Sequence, residues 1–372
     1  MGVEYRVVIS DRSLNVLEFL DKDIIDLQWE YARIGGCGSF SLTLPRQYCS
    51  EKYISGDFNV KIYIRNPSTG AFDLWYQGFV QEKQAKVSNG QEMIDVSGHG
   101  YFDQLSRYYV DEDYSSTEIS AIVKDILDDY VTTPSDITYD AGDVVDTGYT
   151  PDTLEFNTDA KNALETLADI AGSREWGVDK DRKFFFKAKS STASWFFTMG
   201  RYVTDFSADQ SFGDIVNRII VQGAESAGTP FTRTVNDLSS QAKYGRRDRV
   251  VQNSAISTND VADQYGASLL ADLSMVIRSG SCSLVGHNTR IEATVPIPLF
   301  AMKEPGVTYG TQKYGEFLYS GVIGRQITRI TYSIDSNSEM TTKLTLDKTV
   351  TGLADQLKRM DYELEQQRSQ AL

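Results

Sequence analysis

Carboxylates are the residues that this chain supplies in the number and spacing that chemistry would need. Asp111-Glu112-Asp113 form one run, and Asp140, Asp143, Asp146 and Asp152 follow in another. Such sets can hold a calcium ion in a loop, or divide into acid and base for glycoside cleavage. Neither run has EF-hand order, because the Gly and the twelfth-position Glu are misplaced. In an acidic chain such runs read as solvated loops, so no metal and no cofactor is expected. The two histidines, His99 and His287, lie far apart in strand-like contexts without a second ligand or a Ser/Asp partner, which gives both a structural role. Gly35-Gly36-Cys37-Gly38 has the look of a phosphate loop but lacks GxGxxG order and a following helix, and it reads as a hairpin turn. No P-loop, GxSxG, HExxH or kinase set is present, so no catalytic residues are expected.

Charge narrows the partners. Lys plus Arg number 37 against 52 Asp plus Glu, for a formal charge of −15. A surface of that sign is a poor match for phosphate, which needs a basic face. The one basic cluster, Arg246, Arg247 and Arg249, is short and interrupted by Asp248, as expected of a solvated loop. Cys37, Cys49 and Cys282 form no CxxC and cannot all pair, which fits a reducing compartment. The start, MGVEYRVVIS, lacks a signal-peptide pattern, and Arg6 removes the myristoylation motif. No apolar run is long enough to span a bilayer. The expectation is a chain made soluble inside the cell, without stable membrane insertion.

The elements that must position these residues are mostly strands. Leu27, Trp29 and Tyr31 alternate with polar neighbours, and Phe40, Leu42 and Leu44 do so after the glycines, which predicts a hairpin with one buried face. Val60, Ile62 and Ile64 repeat the period of two, residues 66–70 turn the chain, and Asn89-Gly90 joins two further strands. Antiparallel connections this short indicate a barrel or sandwich over residues 1–107. After Arg107 the period lengthens. Ser115 and Glu118 form a capping-box pattern before the apolar stripe Ile119, Ile122, Val123, Ile126 and Leu127. A second helix carries Ala163, Leu164 and Leu167 inward and stops at Gly172, and two strands follow around a polar turn over 176–187. Residues 108–200 thus read as an α/β insert. Strands return over 201–350, interrupted by a helix bearing Val261, Tyr265, Leu269 and Leu273. The fold class expected is α+β, mainly β, with two β units of similar size around the insert.

The last segment, 351–372, has a different pattern. Leu353, Leu357, Met360 and Leu364 are spaced four, three and four apart, the a/d seam of a helix that meets another helix, with charges of both signs around it. It either finds a partner helix or lies on its own domain.

Several stretches taken in order resemble the tail hub proteins of tailed bacteriophages: the baseplate hub of contractile tails and the related tip protein of long flexible tails. They are Gly38-Ser39-Phe40-Ser41-Leu42-Thr43-Leu44-Pro45, Gly78-Phe79-Val80, Val96-Ser97-Gly98-His99-Gly100 ahead of Leu105 and Arg107, Ala163-Leu164-Glu165-Thr166-Leu167 before Trp176-Gly177-Val178-Asp179, and Asn217-Arg218-Ile219-Ile220-Val221-Gln222-Gly223. The resemblance implies two β-barrel-like tube domains, 1–107 and 201–350, so that a homotrimer forms a six-domain ring continuing the tail tube, with 108–200 outside. It implies tube-ring proteins above, tip, plug or fibre proteins below, and DNA passing through the lumen unbound. It places the chain at the tail tip of the virion after synthesis in the host cytoplasm, and offers Leu353, Leu357, Met360 and Leu364 three-fold partners. Many such proteins continue into a peptidase, lysozyme or fibre domain. Here the sequence stops at Leu372, so those activities are expected of another protein. The competing readings are a carbohydrate-active enzyme using two of the acids, or an adhesion module stacking sugars on Trp75, Tyr76, Tyr108 and Tyr109.

Overall fold

Residues 5–100 form seven strands, and alternation of apolar and polar side chains runs through most of them, although Tyr5–Ser10 is buried nearly throughout and Val16–Leu20 buries only Leu20. In the computed structural model the described residues are 3–21, 23–50, 54–88, 90–172, 174–189, 203–226, 229–285, 296–300 and 322–347. The seven are β1 (Tyr5–Ser10), β2 (Val16–Leu20), β3 (Asp26–Ala32), β4 (Gly35–Pro45), β5 (Asn59–Arg65), β6 (Phe72–Ser88) and β7 (Gln91–Gly100). The hairpins of β5 with β6 around Asn66–Gly70 and of β6 with β7 down to Ser88 opposite Gln91 are where the turn residues put them. By contrast, β3 turns into β4 at Arg33-Ile34, and the expected turn Gly35-Gly36-Cys37-Gly38 lies inside β4, paired to β3 at Gly36 and Cys37. The middle segment holds β8 (Tyr109–Ser115), α1 (Ile119–Ile126), β9 (Thr153–Asp159), α2 (Ala160–Ile170), β10 (Glu175–Val178) and β11 (Phe184–Lys187). Then come β12 (Val203–Ser211), β13 (Arg218–Ser226), β14 (Thr229–Asn236), α3 (Leu238–Tyr244), β15 (Asp248–Gln252), α4 (Asn259–Leu273), β16 (Ile277–Val285), β17 (Pro296–Phe300), β18 (Val322–Ile334) and β19 (Met340–Asp347). The architecture is mainly β, of the α+β class.

The two β regions join in one sheet. Its strands hydrogen-bond in the order β12-β16-β19-β18-β3-β4-β7-β6-β5-β1-β2, with β10, β11 and β17 off this path. No pairing among the described residues closes the path into a barrel. The join is β18 against β3, antiparallel, from Arg329 opposite Ala32 to Ile334 opposite Leu27. Tyr332 faces Trp29 there; their rings stack at 5.2 Å, and Trp75 of β6 meets Tyr332 edge-on at 5.1 Å. Such pairs contribute about 0.5–1.5 kcal/mol beyond the area they bury. Two smaller sheets lie apart: β8 with β9, and β14-β13-β15, in which β13 and β15 run parallel.

Buried side chains form two clusters. One gathers β1 to β7 with Val203, Cys282, Leu284 and residues of β18 and β19. The other gathers α1, α2, β9 and β10 with Ile219, Val251, Tyr265 and Leu269. The second core is pinned to the first sheet at one narrow crossing, where β10 pairs parallel with β4 through Gly177 opposite Gly35 and Val178 opposite Gly36. A side chain cannot enter: a Cβ on Gly36, whose φ is +73°, would stand 2.0 Å from the Val178 carbonyl oxygen, and one on Gly177 would stand 2.5 Å from Gly35 C. Beside the crossing, Arg33 Nε donates to Glu175 Oε1 at 2.6 Å, and both side chains are 1% exposed. The Arg33 backbone N–H donates to Thr328 O of β18 at 2.9 Å.

One local expectation is corrected. Ser115 does not cap α1; it stays in β8, paired with Thr153, because the ribbon continues through it. Glu118 is the N-cap instead, its carboxylate accepting from Ser120 N at 2.6 Å and Ala121 N at 3.3 Å, while its other oxygen accepts from Thr147 N at 2.9 Å. The α2 boundaries fall where the sequence put them, with Asp159 accepting from Asn162 N and Gly172 at φ +89°. The segment 351–372 and His287 lie outside the described residues.

Two measurements check these joints. Glu175→Ala strands the Arg33 guanidinium without its carboxylate in a dry site, so denaturant unfolding should show a loss of about 3–5 kcal/mol. At Glu118, burial pushes the carboxyl pKa up, but the hydrogen bonds from Ser120 and Thr147 outweigh it and hold it at about 2. A carboxyl depressed in the folded state stabilises fully above its ordinary range and loses that contribution as pH falls toward 2. Glu118→Gln should therefore flatten the stability-versus-pH curve between about pH 4.5 and 2 relative to the native chain, as read by acid titration of thermal unfolding.

Candidate functional site

Acidic residues 111–113 and 140–152 do not converge; each is occupied locally. Asp111 accepts from Asn157 Nδ2 at 3.4 Å, and Glu112 accepts from the Tyr130 hydroxyl at 3.1 Å. Asp140 pairs with Lys183, raising the lysine pKa through that hydrogen bond and charge, and Asp146 Oδ1 caps a turn through Gly148 N at 2.8 Å. Among the described residues no group of three or more His, Cys, Asp or Glu is arranged to hold a metal. His99 is exposed on β7, between Ser39 and Phe79 on its neighbouring strands. Cys37 and Cys282 are buried, and burial pushes both thiols up to about 12, far from reactive thiolates.

The aromatic set proposed for sugars is mostly consumed by packing. Tyr76 is fully buried with its hydroxyl on Gly38 O at 2.7 Å, and Trp75 packs on Trp29 and Tyr332. Tyr108 is half-buried against the second core; Tyr109 alone of the four is exposed, its hydroxyl donating to Asn157 Oδ1. The basic cluster is likewise engaged. Arg246 holds Asp248 at 2.6 Å, Arg218 holds the same carboxylate at 2.5 Å, and Arg247 donates to Phe212 O and Gly213 O. Hydrogen bonds from Arg246 keep the Asp248 carboxyl down at about 2, so the cluster carries a fixed counter-charge.

What the fold leaves open is the two ends of its large sheet. At one end, among the described residues, β2 pairs only with β1, and around it Leu14, Val16, Leu17 and Phe19 are 36% to 57% exposed. Arg6 lies 6.0 Å from the Phe19 ring and 4.6 Å from that of Phe72. At the other end, among the described residues, β12 pairs only with β16, and Phe212 beyond it is 55% exposed. Unpaired edges with apolar side chains invite another strand, and monomeric proteins ordinarily blunt them. The sequence reading did not single out 14–19, although apolar residues on both faces of so short a strand were a signal of an edge. No helix among the described residues is long and apolar enough to cross a membrane.

No family model matches the sequence, and no curated protein does. Solved structures do. The 43 kDa tail protein of prophage MuSo2 from Shewanella oneidensis superposes with a TM-score of 0.61 at 14% identity, over 92% of this chain and 98% of that one. The chain has the fold of phage tail proteins. The tail protein from Neisseria meningitidis MC58 gives 0.61 at 13% identity over 95% and 99% of the two chains. Prophage tail protein gp18 from Listeria monocytogenes EGD-e gives 0.58 at 14% over 97% and 99%. Near end-to-end coverage at so low an identity means that the fold is shared while most residues are not.

Because the acids are solvated or locally paired, replacing Asp140, Asp143 and Asp146 together by Asn should leave oligomeric mass and thermal midpoint unchanged. Cell-wall preparations incubated with the native chain should release no sugar or peptide; turnover abolished by the triple change would restore the acids as a site.

Proposed function

We propose that this chain is a non-enzymatic structural hub at the distal end of a phage tail, three copies closing into a ring that continues the tail tube. The observation that carries the reading is the single sheet with unpaired ends, apolar at β2, in a chain whose fold is that of phage tail proteins. A surface whose two complementary ends lie on opposite sides of one subunit makes heterologous contacts, and such contacts close into rings when the rotation allows. In this reading the two tube domains are 1–107 and 201–350, with 213–275 an excursion that packs with the insert 108–200 on the outer side. The second tube domain would then consist of β12 with β16 to β19, beside β1 to β7, and ring closure between copies would supply the pairing that one chain lacks.

The terminal heptad, Leu353, Leu357, Met360 and Leu364, is proposed as a three-fold helix seam on the ring axis. The formal charge of −15 suits a conduit for DNA, because a cationic lumen would release counterions from the duplex and hold it. Partners in the virion would be tube rings above and a tip, plug or fibre protein below, reached after synthesis in the host cytoplasm.

Light scattering on the purified chain at micromolar concentration should report the mass of three copies, and a stable dimer or tetramer would overturn the ring. Removing 353–372 should weaken the trimer without lowering the thermal unfolding of the β core. Collapse of that transition would instead assign the helix to the intrachain core.

A further inference from the structure

Between β9, α2 and the stretch 252–255 that follows β15, with Tyr265 from the middle of α4, the second core leaves a pocket of about 230 Å³. This is below the ~300–1,000 Å³ of sites for drug-sized ligands and suits one long side chain. Its lining contains Glu155, Glu165 and Asp169 and no Lys, Arg or His. Asn157, Asn162 and Asn253 also line it, with Asn157 Oδ1 already accepting from the Tyr109 hydroxyl and Asn253 Oδ1 from Ala255 N. The depth is graded: Glu155, Asn157 and Asn162 are exposed at the rim, whereas Asp169 is 3% and Tyr265 0% exposed. The Tyr265 hydroxyl belongs to a pocket-lining residue and makes no well-formed hydrogen bond among the described residues, with the Asn253 amide its nearest candidate. A buried hydroxyl without a partner costs about 1–3 kcal/mol, so a group that engages it is favoured.

From this we infer that the pocket is a receptor for an arginine side chain presented by a neighbouring protein, its guanidinium lying against Asp169 and Tyr265 with Glu165 and Asn162 nearer the rim. Charge complementarity selects a cation. Among cations, guanidinium offers five donors in a planar fork and is more weakly hydrated than ammonium, which suits a half-enclosed site rich in separate acceptors. The state of Asp169 agrees with an absent cation. Burial, then the charges of Glu165 on its own helix and Asp272 on α4, push its pKa well above the carboxylate range, and Lys189, paired with Asp272 at 3.2 Å, offsets this only in part. An arriving guanidinium ionises the acid and expels its proton, so binding strengthens as pH rises toward that raised value. A free probe tests the pocket whether or not the ring forms.

Calorimetric titration of the full chain with Nα-acetyl-arginine methylamide should show saturable, millimolar binding. Asp169→Asn should weaken it about tenfold or more, as expected for loss of a charged hydrogen-bond partner. Tyr265→Phe, which deletes one hydroxyl from a packed position, should weaken it severalfold and serves as the readout if the Asp169 variant does not fold. The inference is overturned if the arginine probe does not saturate, if the norleucine or glutamate analogues bind as well, if the lysine analogue binds more tightly, or if the folded variants bind like the native chain.

Discussion

Arg33 is where the molecule is tied together. It follows β3, its main-chain N–H reaches Thr328 of β18, and its guanidinium reaches Glu175 of β10. One residue thus contacts the first β region, the second β region and the insert. Its charge is 1% exposed, a placement that only an ion pair with further hydrogen bonds makes tolerable. Geometry around it leaves little freedom. The crossing of β10 over β4 needs glycine at both Gly36 and Gly177, and the stacked Trp29 and Tyr332 fix the register of β18 on β3. Remove this junction and two half-sheets and an α/β unit remain, each with an apolar flank facing water.

The division of labour follows from that junction. Large aromatic residues that look available in the sequence, Trp75 and Tyr76 among them, are committed to the sheet and its seam. Charged residues that look like sites are committed to turns and ion pairs, as Asp248 is between Arg218 and Arg246. Among the described residues, unpaired strand edges and the acidic pocket at Asp169 remain.

Local pattern was legible where one face is buried and one is wet. The strands β3 to β7, the stripe of α1 and the boundaries of α2 came from periodicity and end signals. What periodicity cannot carry is pairing at a distance. Nothing in Thr328-Arg329-Ile330 names Ala32 or Tyr31 as its partner, and Gly177 does not announce that Gly35 will cross it. β12, β15 and α3 escaped because Val203–Ser211 is largely polar, Asp248–Gln252 buries only Val251 deeply, and Leu238–Tyr244 has Leu238 74% exposed, so none shows a clean apolar face. The pocket at Asp169 was hidden for a related reason: Glu165 and Asp169 read as the polar side of a helix, until α4 arrives from a hundred residues later to cover them.

The β3–β18 seam also sets an order of events during synthesis. Glu30 and Thr331 meet across 301 residues of sequence, so the β3 edge has no native partner until almost the whole chain has left the ribosome. Contacts this remote are slow to form, because loop closure precedes any return from pairing. For that interval β3, already hairpinned to β4 and carrying Leu27 and Trp29, is a nascent sheet with an open, sticky margin. A chain stalled or cut before residue 329 would keep it, and would be a seed for aggregation rather than a smaller version of the fold.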